Sequence, residues 1–140
     1  MELTINYIAV FVAGLVSMVL GALWYGPVFG KTWMKLSGMT QKDLEAAKKK
    51  SMALSYGLNF VGVLITAYVL AHFLEIIETV GNTSWETGLV TGFWIWLGFA
   101  APLQLSSVLW ENKPWTLWIL NTVYSLLSFV VMGVILAVWI

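Results

Sequence analysis

The chain has 140 residues, of which 60% are hydrophobic and only 10% charged, and its formal net charge is zero. That leaves too little polar surface to wet a soluble globule, and no length for a separate soluble domain beside four membrane spans. Cysteine is absent, which excludes disulfides, thiol catalysis and a Cys-x-x-Cys membrane oxidoreductase, and gives no reading of redox compartment.

Long apolar stretches at Ile5 to Leu23, Met52 to Leu74, Gly88 to Leu109 and Leu117 to Ile140 fill most of the sequence. A hydrocarbon core of about 30 Å is crossed by roughly 20 helical residues. With their boundary residues, these stretches predict spans at about 5–24, 51–75, 87–110 and 115–140. The predicted fold class is all-α integral membrane. It is a four-transmembrane-helix bundle of two helical hairpins, forming one membrane domain over 1–140. The start, Met1-Glu2, lacks the basic region of a signal peptide, so the first stretch reads as an uncleaved span.

Span one carries Ala9, Ala13, Ser17 and Gly21 at four-residue spacing. Helices in lipid gain little from apolar burial against each other, so a small-residue stripe that lets backbones approach is a packing signal. The default partner is another helix of the same chain, and a second copy is the alternative. Trp24-Tyr25-Gly26-Pro27 ends the span, because Pro27 cannot continue helix hydrogen bonding. Phe29, Trp33 and Leu36 then recur at helical spacing with Lys31 and Lys35 on another side, which predicts a short amphipathic interfacial helix. After Gly38, Thr40 reads as an N-cap with Asp43 in the first turn. The helix it opens is expected to run through Lys48-Lys49-Lys50 into span two. That lysine cluster reads as a topology determinant in preference to a nucleic-acid or partner site.

In span two, His72, Glu75 and Glu78 share a helix face. Such side chains can ligate a divalent metal, but nothing fixes the three or four ligands needed. The preferred reading is an interfacial histidine beside solvent-facing glutamates, with no metal. Ser84 is the expected N-cap of span three, which repeats the small-residue device with Gly88 and Gly92 and carries Pro102, a predicted kink. Gln104, Ser106 and Ser107 follow closely enough to satisfy carbonyls freed by the proline. Trp94 and Trp96 lie inside the span and are expected to pack on other helices or on a second subunit. Pro114 is placed to open span four.

Six of the seven lysines lie between spans one and two, and the seventh, Lys113, between spans three and four. The opposite side receives Glu2, Glu75, Glu78 and Glu86. The positive-inside rule therefore puts both lysine-bearing links in the cytoplasm and both termini outside. Trp24, Tyr25, Trp33, Trp110 and Trp115 gather at the expected inner boundary, as indoles and phenols do at headgroup depth. Asn59 and Asn121 lie in the inner halves of spans two and four, and an amide in hydrocarbon is costly unless bonded. They should face the interior, either as interhelical hydrogen-bonding residues or, with Gln104, as a polar pocket. Trp24-Tyr25-Gly26 also loosely echoes Trp96-Leu97-Gly98, and Leu58-Asn59 echoes Leu120-Asn121, a faint sign of internal duplication.

The run from Gly21 to Met34, Gly-Ala-Leu-Trp-Tyr-Gly-Pro-Val-Phe-Gly-Lys-Thr-Trp-Met, resembles the signature of a family of small bacterial membrane proteins catalogued as domain of unknown function seventeen sixty-one. Ala67 to Phe73, Trp96 to Phe99 and Val131 to Leu136 resemble its later blocks. The resemblance implies four helices in a bacterial cytoplasmic membrane and supplies no activity, substrate or cofactor.

No catalytic or cofactor-binding signature is present. An embedded carboxylate for proton-coupled efflux is missing from span one, and Ser106 and Ser107 lie at the opposite boundary from His72. The preferred expectation is a non-enzymatic membrane protein in the lipid bilayer, acting by self-assembly or as a small subunit of a membrane partner, without nucleic acid. The rival is a small-solute or ion permeation unit lined by Asn59, Gln104 and Asn121. A metal enzyme built on His72 and the outer glutamates ranks behind both.

Overall fold

The computed structural model describes residues 2–49 and 52–139, so Lys50 of the lysine cluster, the first residue of predicted span two and the last of span four lie outside it. The elements are α1 (Tyr7–Leu23), α2 (Gly30–Ser37), α3 (Gln41–Lys49), α4 (Met52–Glu78), α5 (Trp85–Ile95), α6 (Ala101–Gln104), α7 (Ser106–Leu109) and α8 (Trp115–Val138). Two interruptions break the series, a kinked turn at Trp24–Val28 after α1 and a π-helical turn at Trp96–Ala100 after α5. Counting these turns, four segments are long and apolar enough to cross a membrane: Tyr7–Val28, Met52–Glu78, Trp85–Leu109 and Trp115–Val138.

The helix starts follow local chemistry. Asn6 Oδ1 accepts from the amide of Ala9 at 3.1 Å, while its Nδ2 donates to the carbonyl of Trp139 at 2.9 Å and ties the two ends of the fold together. Thr40 and Asp43 cap α3 reciprocally: the Asp43 amide donates to Thr40 Oγ1 at 3.2 Å, and the Thr40 amide to Asp43 Oδ2 at 2.9 Å. The Thr40 amide, and after it the Thr40 hydroxyl, hold the Asp43 carboxyl below its ordinary range. Ser84 and Thr87 form the same reciprocal pair at the start of α5. Helix α2 stops at Gly38, which adopts a left-handed φ of 75°.

Helix α8 is the central one, packing on α5, α1 and α4. It runs antiparallel to α1, since Asn6 meets Trp139, Ser17 meets Ser128 and Tyr25 meets Asn121. It is antiparallel to α5 as well, through Gly88 on Gly133 and Gly92 on Phe129. A methyl at Gly92 would sit 2.5 Å from the Phe129 carbonyl oxygen, and one at Gly88 would strike the carbonyl of Gly133. Only glycine permits that approach. Short links predict α4 and α5 as close neighbours, yet they touch sparsely. The glycines of α5 lie instead against Gly133 and Phe129 of α8.

Ala9 and Ala13 of α1 are fully buried with Ala67, Leu70, Ala71 and Leu74 of α4 and Met132, Leu136 and Ala137 of α8. This dry core fills the half of the helices remote from the lysine-bearing links. In the other half α4 stands away, and every residue from Met52 to Asn59 is exposed.

Candidate functional site: a divided polar cleft

The two interruptions begin at the tryptophans of the repeated Trp-x-Gly motif, the first at the lysine end of its segment and the second near the middle of Trp85–Leu109. Gly26 leaves helical geometry altogether (φ −104°, ψ −107°), just before Pro27. In the third span the extra residue of the π-turn precedes Pro102, whose ring would clash with the carbonyl one turn back in a regular helix. The disturbed carbonyls are met from several directions. Trp118 Nε1 donates to Ala101 O at 3.1 Å, and Ser107 Oγ to Gln104 O at 3.0 Å. Trp96 Nε1 donates to Thr122 O at 2.8 Å, across to α8.

Because both spans loosen here, α8 presents Asn121, Tyr124 and Ser125 to open space. One cavity, of about 480 Å³, is lined by Tyr25, Leu103, Gln104, Ser106, Ser107, Trp118, Asn121, Tyr124 and Ser125. A second, of about 610 Å³, is lined by Met18, Val19, Gly21, Ala22, Tyr25, Gly26, Tyr56, Asn59 and Tyr124. Tyr25 and Tyr124 belong to both walls, packed edge to face at 5.1 Å. Tyr25 Oη donates to Asn121 Oδ1 at 2.7 Å, and Tyr124 Oη to Ser17 O at 3.3 Å. A turn deeper, Ser17 and Ser128, both buried, share a hydrogen bond of 2.5 Å. The dry core begins beyond it, so the cleft has a floor.

Every described residue lining the cleft is formally neutral. Gln104 Nε2 donates to Ser125 Oγ at 3.3 Å, while Ser125 Oγ donates to Thr122 O at 2.9 Å. The serine proton is thus committed, so Gln104 must turn its NH2 group to Ser125. Its Oε1 is left buried without a partner among the described residues, as are Trp24 Nε1 and Thr122 Oγ1 nearby.

The three polar residues singled out from the sequence do not form one lining. Gln104 and Asn121 share the first cavity, whereas Asn59 lines the second, exposed, with Nδ2 donating to Met18 Sδ at 3.2 Å. Tyr25, expected among the boundary aromatics, stands inside between the two cavities. Sequence reasoning missed Tyr124 and Tyr56 as site residues. The available signal was the i, i+3, i+4 spacing of Asn121, Tyr124 and Ser125.

Of the other boundary aromatics, Trp33 on α2 packs edge-on against Tyr25 at 6.1 Å, and Trp24 lies on Phe29 at 4.5 Å. Trp115 packs against Trp118, whereas Trp110 is 83% exposed. Lys113 Nζ reaches back 2.7 Å to the carbonyl of Ser37 at the end of α2, where a cation suits the negative helix end. Ala9, Ala13, Ser17, Gly88 and Gly92 are buried, and Gly21 lies against Tyr124, where an added methyl would come within 2.7 Å of its hydroxyl. Trp94 is 62% exposed, whereas Trp96 packs inward. His72 Nδ1 lies 2.8 Å from the carbonyl of Tyr68, and Glu78 accepts from the amide of Thr83 at 2.6 Å. Among the described residues no group of three or more His, Asp or Glu side chains could hold a metal.

The fold and cleft define an all-helical protein with four helices long and apolar enough to span a membrane. The chain belongs to the family described as Protein of unknown function (DUF1761), which it matches over residues 8–137. No curated protein and no solved structure matches it.

Proposed function

We propose that the protein is a four-helix bundle in the bacterial cytoplasmic membrane that takes up a small polar molecule, without catalysis, in a cleft open to the cytoplasm. The observation that carries this reading is the position of the cleft. It lies at the end bearing Lys31, Lys35 and Lys113, sets hydroxyls and amides among apolar side chains, and is separated from the buried core by the Ser17–Ser128 pair. The lysine bias makes that end cytoplasmic and leaves both termini outside. Hydroxyls and amides exposed in a membrane-depth cavity are tolerated where water or a ligand meets them. The dead end makes it a half-path, the cytoplasm-open form of a permeation unit.

Cysteines introduced one at a time at Ser106, Tyr56 and Ser128 test this. An impermeant thiol reagent should label Ser106→Cys and Tyr56→Cys in inside-out vesicles but not in intact cells, and Ser128→Cys in neither. A Ser106 cysteine that is unreactive from both faces, or labelled only from outside, would end the reading.

Assembly with a second copy or a membrane partner is the second reading. It is favoured by the exposed run from Met52 to Asn59, which places Ser55, Tyr56 and Asn59 where hydrocarbon alone would leave polar groups poorly met. Asn59→Leu should then lower the oligomer fraction measured in detergent, and an unchanged fraction would remove this support.

A further inference from the structure

The neutral lining and its unmet hydrogen-bonding groups also constrain which molecule the cleft accepts. Resting on the cytoplasm-open cleft proposed above, we infer that the first cavity binds an uncharged, hydroxyl-bearing group that both donates to Gln104 and accepts from Asn121.

The exclusion of charge comes first. An ion or zwitterion entering this space sheds hydration, and Gln104, Asn121, Ser106 and the tyrosines offer dipoles but no countercharge. Desolvating an unpaired charge costs far more than a neutral hydrogen bond returns.

The hydrogen-bond inventory then narrows the neutral choices. Asn121 Oδ1 is occupied by Tyr25, so its NH2 group is the end left to offer. Gln104 is oriented the other way, with NH2 on Ser125 and a carbonyl oxygen lacking a donor. The glutamine side chain is unbranched, so a small shift that keeps its NH2 group on Ser125 can bring that oxygen to a donor placed in the cavity. A hydroxyl supplies both functions from one atom. The rings of Tyr25, Tyr124 and Trp118 supply apolar faces for the carbon skeleton. Such a hydroxyl can belong to a free polyol or to a lipid with an uncharged glycerol headgroup, since the cavity lies at membrane depth.

The full chain in nanodiscs of neutral lipid is the material for the test. Equilibrium dialysis with labelled mannitol probes the free polyol, and native mass spectrometry of co-purified dioleoylglycerol probes the lipid. Glycine betaine and lactate are the charged comparators. Mannitol binding or dioleoylglycerol retention is expected, with neither charged probe competing. Gln104→Met and Asn121→Leu should each weaken the bound species about tenfold, the value of one well-placed hydrogen bond. Gln104→Met keeps the side-chain volume, and unchanged helicity shows that it folds. Retention of the lipid alone identifies the source as the inner leaflet and supports the inference. Tighter binding of betaine or lactate overturns it while leaving the cleft a binding site. Failure of both hydroxyl probes overturns it too, and the cysteine labelling above then decides separately whether the cleft is open.

Discussion

The close backbone approach of α5 to α8 gives a direct test of the packing. At Gly92 a methyl carbon would stand 2.5 Å from the carbonyl oxygen of Phe129, 2.8 Å from its carbon and 3.0 Å from Val130 Cα. All three are backbone atoms, so no side-chain rotation relieves the clash. Ordinary contact begins near 3.4 Å, and Gly92→Ala must therefore push the two helices apart by about 1 Å. A gap of that size forfeits a quarter to a half of the dispersion well for each separated pair, and overpacking of this kind costs about 1–3 kcal/mol. Replacing glycine by alanine also favours the helix by up to about 1 kcal/mol, which must be subtracted. Gly62→Ala on α4 is the reference, because a methyl there meets nothing within 4 Å. The difference between the two variants isolates the steric cost. Thermal melting in detergent and unfolding by increasing SDS fraction both measure it. Gly88→Ala with Gly133→Ala should be less damaging together than the sum of the singles, since the first methyl already separates the helices. Equal stability of Gly92→Ala and Gly62→Ala would refute the packing described for these helices.

The Ser17–Ser128 bond predicts that either serine to alanine costs about 1 kcal/mol by leaving a buried hydroxyl unmet, and that the double replacement recovers part of it; fully additive losses in the same melts would contradict this. Asp43 should titrate below an ordinary carboxyl, so the α3 cap is intact above the unfolded pKa and weakens as pH falls through the lowered folded one. NMR titration of that carboxyl should show Thr40→Ala moving its midpoint upward, and no movement would remove the cap. Orientation is checked on intact cells, where a cysteine at Ser84 should be labelled from outside and one at Thr40 only after the membrane is opened.

The four long apolar helices were legible because a run of roughly 20 apolar residues has few other uses. The caps at Thr40 and Ser84 and the disturbance at Pro102 were legible too, since each depends on a local rule about a backbone donor. What faces inward was much less so. A helix in lipid is apolar on every side, so hydropathy does not distinguish Trp94, which points out, from Trp96, which donates to α8. Tyr25 is in the same position: its depth was readable, but its turn toward Asn121 comes with the kink at Gly26, where the backbone leaves helical geometry. The Trp-x-Gly echo marked a backbone interruption in both segments, whereas the matching asparagines occupy different surroundings.

The central place of α8 has a consequence for how the protein is made. The bonds that α1 forms with it join residues 133, 111 and 96 positions apart. At ribosomal rates, Ser17 waits roughly 5–20 s for Ser128 to be synthesised. During that interval the first three long apolar segments are complete, but α5 lacks the groove into which its glycines fit, and Tyr25 lacks its acceptor. The cleft is not complete until α8 arrives, so a nascent chain stalled before Trp115 carries three of the four long apolar segments and much of the lining, but lacks Asn121, Tyr124 and Ser125, against which that lining is organised.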